Sequence, residues 1–279
     1  VVNAQYTEHG TGTFVDDSLL ITDTDDDYMD RAVMRISGNF ITSDSLFFSA
    51  SLPTGITKTY NIDEDSLVIS GVATLGAYQT ALRSLQFKNT SENPTDNNTK
   101  NSRTIQIQVR DNGSDNIGKT LSNLLARQVD ISPLIDSPVL TMGKTVNTTF
   151  TENEVGSLVD DSLTLSDVDD LDMDRAVARI TSNFLTTDYL DIGTVPAGIT
   201  KSYNFGSNGD SIVLSGSSSI ANYVTALRSL TYRSTSDDPT DNDTKTSRAI
   251  LIKVRDAGSD NIGKTWSNSI TRTVDITAV

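Results

Sequence analysis

The feature that most constrains this chain is an internal repeat. The segment VDDSLLITDTDDDYMDRAVMRI, which begins at Val15, returns as VDDSLTLSDVDDLDMDRAVARI from Val159. The octapeptide GSDNIGKT occurs unchanged in both copies. A repeat of this length indicates one folding unit per copy, stacked in tandem. We therefore predict two domains, residues 1–135 and 136–279, with the sequence LIDSP as the hinge.

Within each copy, short runs of alternating apolar and polar residues have the period of half-buried β-strands. In the first copy the apolar positions are Ala32, Met34, Ile36, Leu67, Ile69, Ile105, Ile107 and Val109. In the second copy they are Ala176, Ala178, Ile180, Ile212, Leu214, Ile250, Ile252 and Val254. Many short strands separated by Thr, Ser, Asn and Asp predict an all-β fold made of two tandem β-sandwiches.

One segment departs from this period. Tyr78, Leu82 and Leu85 are spaced four and three residues apart, and Tyr223, Leu227 and Leu230 repeat the spacing. That spacing is typical of one face of a helix, so we expect a short helical crossover between the two sheets of each sandwich. The segments NTSENPTDNNTK and STSDDPTDNDTK that follow resemble long polar hairpin loops, with acids that face solvent.

Composition excludes several classes of function. The chain has no Cys, so it has neither disulfides nor thiolate metal sites. It has 37 acidic and 22 basic residues and a net charge of -15, which disfavours nucleic acid and anionic membrane surfaces and favours cations. No stretch approaches the length of a membrane span, so we expect no membrane insertion. The first residues are similar to the hinge, which is typical of a fragment of a longer protein.

The most informative chemistry lies in an acidic loop that occurs once in each copy. Its members are Asp23, Asp25, Asp26 and Asp30 in the first copy and Asp167, Asp169, Asp170 and Asp174 in the second. Clustered carboxylates repel one another, and a hard cation with oxygen ligands relieves that repulsion. Side chains in D-x-D at a strand end point the same way and can converge on one ion. Ca²⁺ is the cofactor we predict, and a solvated acidic turn is the alternative.

Other acids recur and could complete the ligand shells: Glu8 with Glu152, Asp44 with Asp188, Asp111 with Asp256, and Asp115 with Asp260. The acid of the hinge, Asp136, either bridges the copies through an ion or forms an Asx turn before Pro138.

The two copies differ at their start. The second copy has a lead-in, VLTMGKTVNTTF, that is mostly missing before Tyr6 in the first copy. Either the sequence begins inside the first strand of this copy, or a neighbouring repeat supplies that strand.

Taken together, the motifs resemble the cadherin-like repeats of giant bacterial adhesins and the related repeats of chondroitin-sulfate-proteoglycan-type ectodomains. They are YTE and FTEN near the starts of the copies, the D-x-D loops, YQTALRSLQFKNTSENPT with YVTALRSLTYRSTSDDPT, and the V-R-D strand ends. The resemblance implies immunoglobulin- or cadherin-like sandwiches in series, with calcium at or near the repeat junctions. The ligands it implies are Glu8, Asp23, Asp25, Asp111, Glu152, Asp167, Asp169 and Asp256.

These observations predict a structural protein rather than an enzyme. The single His, His9, has no counterpart in the second copy, and a catalytic site needs a positioned base or nucleophile. We expect a calcium-rigidified extender of an extracellular, bacterial cell-surface adhesin, whose partners are neighbouring repeats of the same long chain. The alternatives are a module that binds a cell-surface glycan or protein, and a fibre subunit that binds copies of itself. Trp266, which replaces Leu121, is expected to be a partly buried or sheet-edge residue rather than part of a glycan platform.

Overall fold

The structure is a computed structural model that describes residues 2–61, 65–114, 118–206, 209–259 and 261–279. Contacts between Cα atoms divide the chain into two compact units, Val1–Leu134 (unit 1) and Ile135–Val279 (unit 2). Each unit is an all-β sandwich with one short helix, which confirms the predicted fold class. In the described part of the chain, neither helix is long and apolar enough to cross a membrane.

The described residues of unit 1 form nine strands and one helix. They are β1 (Ala4–Thr7), β2 (Thr13–Phe14), β3 (Tyr28–Gly38), β4 (Asp44–Phe48), β5 (Thr57–Tyr60), β6 (Ser66–Thr74), α1 (Leu75–Arg83), β7 (Leu85–Asn89), β8 (Ser102–Asp111) and β9 (Leu125–Ser132). The larger sheet has the order β1-β9-β8-β3-β6-β5, and the smaller has the order β2-β7-β4. Strand β1 runs parallel to β9, and the other described pairings are antiparallel.

Unit 2 repeats this plan and adds a two-stranded sheet. Its elements are β10 (Val139–Thr141), β11 (Thr148–Thr151), β12 (Ser157–Leu158), β13 (Thr164–Ser166), β14 (Asp172–Ser182), β15 (Asp188–Ile192), β16 (Thr200–Gly206), β17 (Gly209–Ser219), α2 (Ile220–Arg228), β18 (Leu230–Ser234), β19 (Ser247–Asp256) and β20 (Ile270–Thr277). The large sheet is β11-β20-β19-β14-β17-β16, and the small sheet is β12-β18-β15. The extra sheet pairs β10 with β13.

The predicted alternation forms the core. In β3 and β8, the apolar positions point between the sheets and are buried, except Val109, which is partly buried. An aromatic contact joins the two sheets in each unit: the rings of Tyr6 and Phe87 lie 5.3 Å apart edge to face, as do those of Phe150 and Tyr232. Each fully buried large side chain stabilises the fold by about 1.5–3 kcal/mol, so these two layers hold each unit together.

The helical crossover lies where the sequence predicts it. Helix α1 begins after Thr74, whose hydroxyl accepts a hydrogen bond from the N–H of Ala77 at 3.2 Å, and it connects the large sheet to the small one. The Tyr78 hydroxyl donates to the carbonyl of Gly71 at 2.8 Å. Gly71 has a φ of 129°, and a Cβ there would meet the Gly55 carbonyl oxygen at 1.9 Å, so this position requires glycine.

Two details differ from prediction. Leu85 and Leu230 are the first residues of the strands that follow the helices, not helical residues. The polar segments after β7 and β18 are not hairpin loops, because each connects the small sheet to the large one. Leu85 and Leu230 lie two residues past the helix ends and are buried in the same core as the helices, which explains the misplaced leucines.

A buried ion pair anchors each of these connecting segments. Arg103 Nε donates to Asp44 Oδ2 at 2.6 Å, and its terminal nitrogens donate to the carbonyls of Lys100 and Pro94. Arg248 makes the same contacts with Asp188 and with the backbone of its own segment. All four charged side chains are fully buried. Asp44 and Asp188 therefore do not belong to a metal shell, because a guanidinium already neutralises each carboxylate.

Candidate metal centre

The acidic loop of unit 2 lies between β13 and β14. One carboxylate oxygen of Asp167 accepts hydrogen bonds from the N–H groups of Asp169, at 3.3 Å, and Asp170, at 3.1 Å. This Asx-type turn folds the loop back on itself. As a result, one carboxylate oxygen from each of the three residues lies within 4.8 Å of the other two. The predicted convergence of D-x-D therefore occurs in unit 2.

The backbone of the hinge acid Asp136 contacts this cluster. Its N–H donates to Asp169 Oδ2 at 3.1 Å, and its carbonyl lies 3.0 Å from the Thr265 hydroxyl. Three oxygens here, Asp136 Oδ2, Asp167 Oδ2 and Asp169 Oδ1, are buried, and no donor among the described residues reaches them. A buried carboxylate oxygen without a donor is costly unless a proton or a cation neutralises it. A hard cation with oxygen ligands fits this donor set.

The raised pKa values of two loop acids show the electrostatic cost of bringing these carboxylates together. Burial, followed by the hydrogen-bonded contact with Asp167, raises the pKa of Asp169 from 3.8 to about 7. Burial also raises the pKa of Asp167. Near neutral pH, the cluster without a cation therefore retains a proton that an exposed aspartate would release. A divalent ion would take the place of that proton.

Asp170 of the loop and Asp256 at the end of β19 both accept hydrogen bonds from the octapeptide GSDNIGKT. Asp170 Oδ1 accepts from the N–H and the hydroxyl of Ser259. Asp256 accepts from Gly258 N–H at 3.1 Å and from both the N–H and the hydroxyl of Thr265. Both carboxylates are buried, so they hold the loop in place beside the cluster. Whether either also binds an ion stays a prediction.

In unit 1 the same sequence pattern gives a different environment. Asp23 accepts from the N–H groups of Asp25, at 3.2 Å, and Asp26, at 3.1 Å, but Asp23 and Asp25 are exposed. The backbone donors, that of Asp26 first, lower the pKa of Asp23. Asp26 accepts from Ser114 N–H at 2.6 Å, and Asp111 accepts from Gly113 and Thr120. The described part of unit 1 contains no counterpart of Asp136.

Asp30 and Asp174 each pair with two basic side chains, and their role as metal ligands stays a prediction. Asp30 pairs with Arg110 at 2.8 Å and with Lys119. Asp174 pairs with Arg255 at 2.9 Å and with Lys264 at 2.6 Å. Burial alone would raise the pKa of both carboxyls, but the ion pairs outweigh it and lower the pKa. We leave both residues out of the candidate centre because two cations already neutralise each one.

Glu8 and Glu152 lie elsewhere in their units, next to the end of the last strand. Glu8 Oε2 accepts from the N–H of Leu134 at 2.6 Å, and Glu152 Oε2 accepts from the N–H of Val279 at 2.8 Å. Both are buried. His9 is half exposed, and its Nε2 lies 3.8 Å from Glu8 Oε1 and 3.4 Å from Glu92 Oε2. The glutamates therefore fasten the chain as it leaves the sandwich, and their role as metal ligands stays a prediction.

Sequence reasoning missed the donors that fix the loops. Ser114, Thr120, Ser259 and Thr265 donate to the acids, and all four lie in the repeated octapeptide GSDNIGKT. The identical octapeptide in both copies was the sequence signal that could have revealed these donors. Asp115 and Asp260 of the same octapeptide lie outside the described residues. Trp266 is partly buried, and Lys253 and Arg255 lie over its ring at 4.3 and 5.4 Å, so two cations cover it.

Among solved structures, the chain is similar to cadherin extracellular domains. It covers 99% of its length on human mucin-like protocadherin domains 1–2, with 14% identity and a TM-score of 0.35, and spans 94% of that structure. It aligns with protocadherin gamma B2 domains 1–5 at 12% identity and a TM-score of 0.32, over 85% of this chain and 33% of that one. For mouse protocadherin-24 domains 1–3, identity is 11%, the TM-score is 0.30, and coverage is 84% and 59%.

The chain thus spans a third of the protocadherin gamma B2 structure and about three fifths of the mouse protocadherin-24 structure. No protein-family model matches the sequence, and no curated protein matches it significantly.

Proposed function

We propose that this chain is a calcium-binding tandem repeat of an extracellular adhesin or surface fibre, in which calcium stiffens an extender. The observation that carries the proposal is the cluster of Asp167, Asp169 and Asp170. Buried oxygens of Asp167, Asp169 and the neighbouring Asp136 lack donors, and the pKa of Asp169 rises to about 7. Such a site favours a cation over any neutral ligand, because only a positive charge relieves the repulsion.

The donor set selects calcium among the common cations. All candidate ligands are carboxylate oxygens, and the chain has no Cys and a single His, which lies in unit 1. Oxygen-only sites suit Ca²⁺ and Mg²⁺ rather than Zn²⁺ or copper. Mg²⁺ retains most of its waters and takes one or two protein carboxylates, whereas Ca²⁺ accepts many at longer distance. A loop that converges three aspartates, with a fourth from the hinge, matches the calcium preference.

Calcium would restrict the backbone of the hinge as well as neutralise the carboxylates of the loop. Asp136 is the second residue of unit 2 and lies within the hinge, so an ion that binds its carboxylate would fix hinge backbone to the loop of unit 2. Less of the hinge then remains free to bend. The repeat of the same sandwich in tandem favours this spacer role over a dedicated ligand site, since one specialised domain usually carries such a site.

The first experiment measures calcium binding by titration calorimetry at pH 7.5 on the full chain and on two matched double variants. Asp167→Asn with Asp169→Asn alters the cluster of unit 2, and Asp23→Asn with Asp25→Asn alters its counterpart in unit 1. We expect the unit 2 variant to lose the tightest site and the unit 1 variant to keep it. Equal binding by all three proteins, or none by the unaltered chain, would contradict the proposal.

The extender role has a separate test. Small-angle scattering of the full chain with calcium and with chelator reports on its mean dimensions and their spread. We expect calcium to lengthen the particle and narrow the distribution. Calcium binding without any change in scattering would leave the metal site standing and remove the stiffening role.

A further inference from the structure

The outward face of the large sheet in unit 2 is basic, although the chain as a whole has a net charge of -15. Strands β14 and β19 lie side by side in this sheet, and alternate residues of both strands are buried in the core. The residues between them point to the opposite side. These outward residues include three cross-strand pairs: Arg175 with Arg255, Val177 with Lys253, and Arg179 with Leu251.

This face contains a depression of about 450 Å³. Pockets that bind small ligands have volumes of about 300–1,000 Å³. Apolar and basic side chains contribute equally to its lining, which includes Val177, Leu251, Trp266, Arg175, Arg179 and Lys253. No acid lines it. The depression is therefore complementary in charge to an anion, in a protein that is otherwise acidic.

The indole ring of Trp266 positions two cations at this depression. Lys253 Nζ lies 4.3 Å from the ring centroid, and the guanidinium carbon of Arg255 lies 5.4 Å from it. Such contacts restrict the lysine side chain before any ligand binds. Asp174 already neutralises Arg255 through two hydrogen bonds of 2.9 Å. Lys253 and Arg175 form no ion pair with an acid in the described part of the chain, so their charges stay available.

The same face of unit 1 lacks this combination. Gln108 stands in the place of Lys253, and Leu121 stands in the place of Trp266. The Gln108 amide donates to the carbonyl of Ser122 at 2.9 Å, and Leu121 is 61% exposed. The strands and their register are the same in both units. The basic depression with its indole is therefore a feature of unit 2 that the shared scaffold does not require.

We propose that this depression of unit 2 binds a carboxylate-bearing ring of an acidic polysaccharide. The carboxylate would lie between Lys253 and Arg175, whose like charges repel each other in the free protein. The guanidinium of Arg175 can bind it through two parallel N–H groups. The apolar C–H face of the sugar would contact Val177 and the edge of Trp266. Trp266 thus serves as a wall that positions Lys253, and not as an open stacking platform.

The place of the depression in the sheet favours a sugar over a peptide strand. Strand β14 pairs with β17 and β19, and β19 pairs with β14 and β20, so both strands have neighbours on each side. Their backbone groups are therefore not free for strand addition. A ligand here is bound through side chains, which suits a charged ring with hydroxyls. The net charge of the chain repels anions at long range, but physiological salt screens that repulsion beyond about 8 Å.

The test uses the full chain, a tetrasaccharide of galacturonic acid, and the fluorescence of Trp266, the single Trp. We expect a saturable change in fluorescence at pH 7.5, and no such change with a neutral tetrasaccharide of galactose. Lys253→Gln, which copies Gln108 of unit 1, should weaken binding about tenfold because one charge-assisted contact is lost. Arg175→Gln should weaken it by a similar factor, and raised salt should weaken binding of the acidic probe.

Two further proteins serve as controls. Lys58→Gln removes a lysine that lies 5.7 Å from the ring centroid of Tyr60 in unit 1, and it should bind the probe with unchanged affinity. Asp167→Asn with Asp169→Asn, titrated in chelator, should also keep its affinity, because no acid lines the depression. This inference therefore stands or fails independently of the calcium proposal.

Four outcomes would overturn the proposal. The first is no saturable change at millimolar tetrasaccharide, and the second is equal binding of the neutral tetrasaccharide. The third is an equal loss of affinity in Lys58→Gln and Lys253→Gln, which would mean that the probe responds only to overall charge. The fourth is tighter binding of a tetraglutamate peptide, which would make an acidic protein segment the partner. Loss of binding in chelator by the double Asn variant would assign the probe to the metal cluster instead.

Discussion

The acidic loops of the two units have the same D-x-D-D pattern and opposite electrostatics. In unit 2 the pKa of Asp169 rises to about 7, whereas in unit 1 the pKa of Asp23 falls below its ordinary value. The difference accompanies a difference in the exposure of the loop acids. Asp136 lies over Asp169 in unit 2 and bonds to it, while Asp23 and Asp25 face solvent. A shared motif therefore supplies the carboxylates, and their burial decides whether they need a cation.

The first prediction tests whether the difference between the units is confined to their acidic loops. The buried pairs Asp44–Arg103 and Asp188–Arg248 have the same geometry, with Nε to Oδ2 distances of 2.6 Å. Arg248→Met should destabilise unit 2 by about 3–5 kcal/mol, because it leaves a buried carboxylate without its partner. Arg103→Met should cost unit 1 about the same. Chemical denaturation followed by the fluorescence of Trp266, the single Trp of the chain, isolates unit 2, and hydrogen exchange follows unit 1. Effects that differ several-fold would show that the units diverge in their cores too.

The second prediction is a pH dependence of opposite sign in the two units without calcium. A carboxyl whose folded pKa lies above its unfolded value stabilises the fold fully at low pH and loses that contribution as pH rises. For Asp169 the shift from 3.8 to about 7 corresponds to at most about 4 kcal/mol, lost between pH 4 and pH 7. Asp23, with a lowered pKa, contributes stability above pH 4 and loses it as pH falls further. Denaturation in chelator at pH 4, 5.5 and 7 checks both signs.

The matched control is Asp169→Asn, which cannot titrate. Its unit 2 should show a flatter pH profile, and it should be more stable than the unaltered chain at pH 7 in chelator. A profile that keeps its slope in this variant would assign the pH dependence to another group.

The third prediction concerns calcium itself. A ligand that binds only the folded state at one hundred times its dissociation constant stabilises that state by about 2.7 kcal/mol. We expect calcium at pH 7.5 to raise the melting temperature reported by Trp266 and to shift the unit 1 transition less, because Asp23 and Asp25 of its loop are exposed. At pH 5.5 the shift in unit 2 should shrink, since protons compete for Asp169. Equal shifts in both units would indicate that the exposed aspartates of unit 1 bind as well.

Much of the fold followed from the sequence because its causes are local or repeated. Alternation placed the buried residues of β3, β6 and β8, and the four-three spacing placed the helices. The partners of single acids could not be found this way. Asp30 belongs to the same acidic run as Asp23, yet a β-bulge between Met29 and Arg31 and the pairing of β3 with β8 bring it to Arg110. Only the register of strands distant in sequence decides that neighbour.

The smallest expected effect tests how the two cores satisfy the same buried aspartate by different means. In unit 2 the Tyr232 hydroxyl donates to Asp188 Oδ1 at 2.7 Å, whereas in unit 1 the corresponding residue is Phe87 and the Asn89 amide donates to Asp44 Oδ1 at 2.6 Å. Burial and the carboxylate beside it raise the pKa of Tyr232 far above its ordinary value, so the hydroxyl stays a donor at all accessible pH. Tyr232→Phe removes this donor and should cost about 1–2 kcal/mol.

The reciprocal change in unit 1 sharpens the comparison. Asn89→Ser, which copies Ser234, should destabilise unit 1 by a similar amount, and adding Phe87→Tyr should restore most of the loss, because the new hydroxyl reaches the same oxygen. A double-mutant cycle on these two positions, measured by denaturation and hydrogen exchange, gives the coupling energy directly. Additive effects would mean that the two donors act on different atoms, and that the aspartates are satisfied independently in each unit.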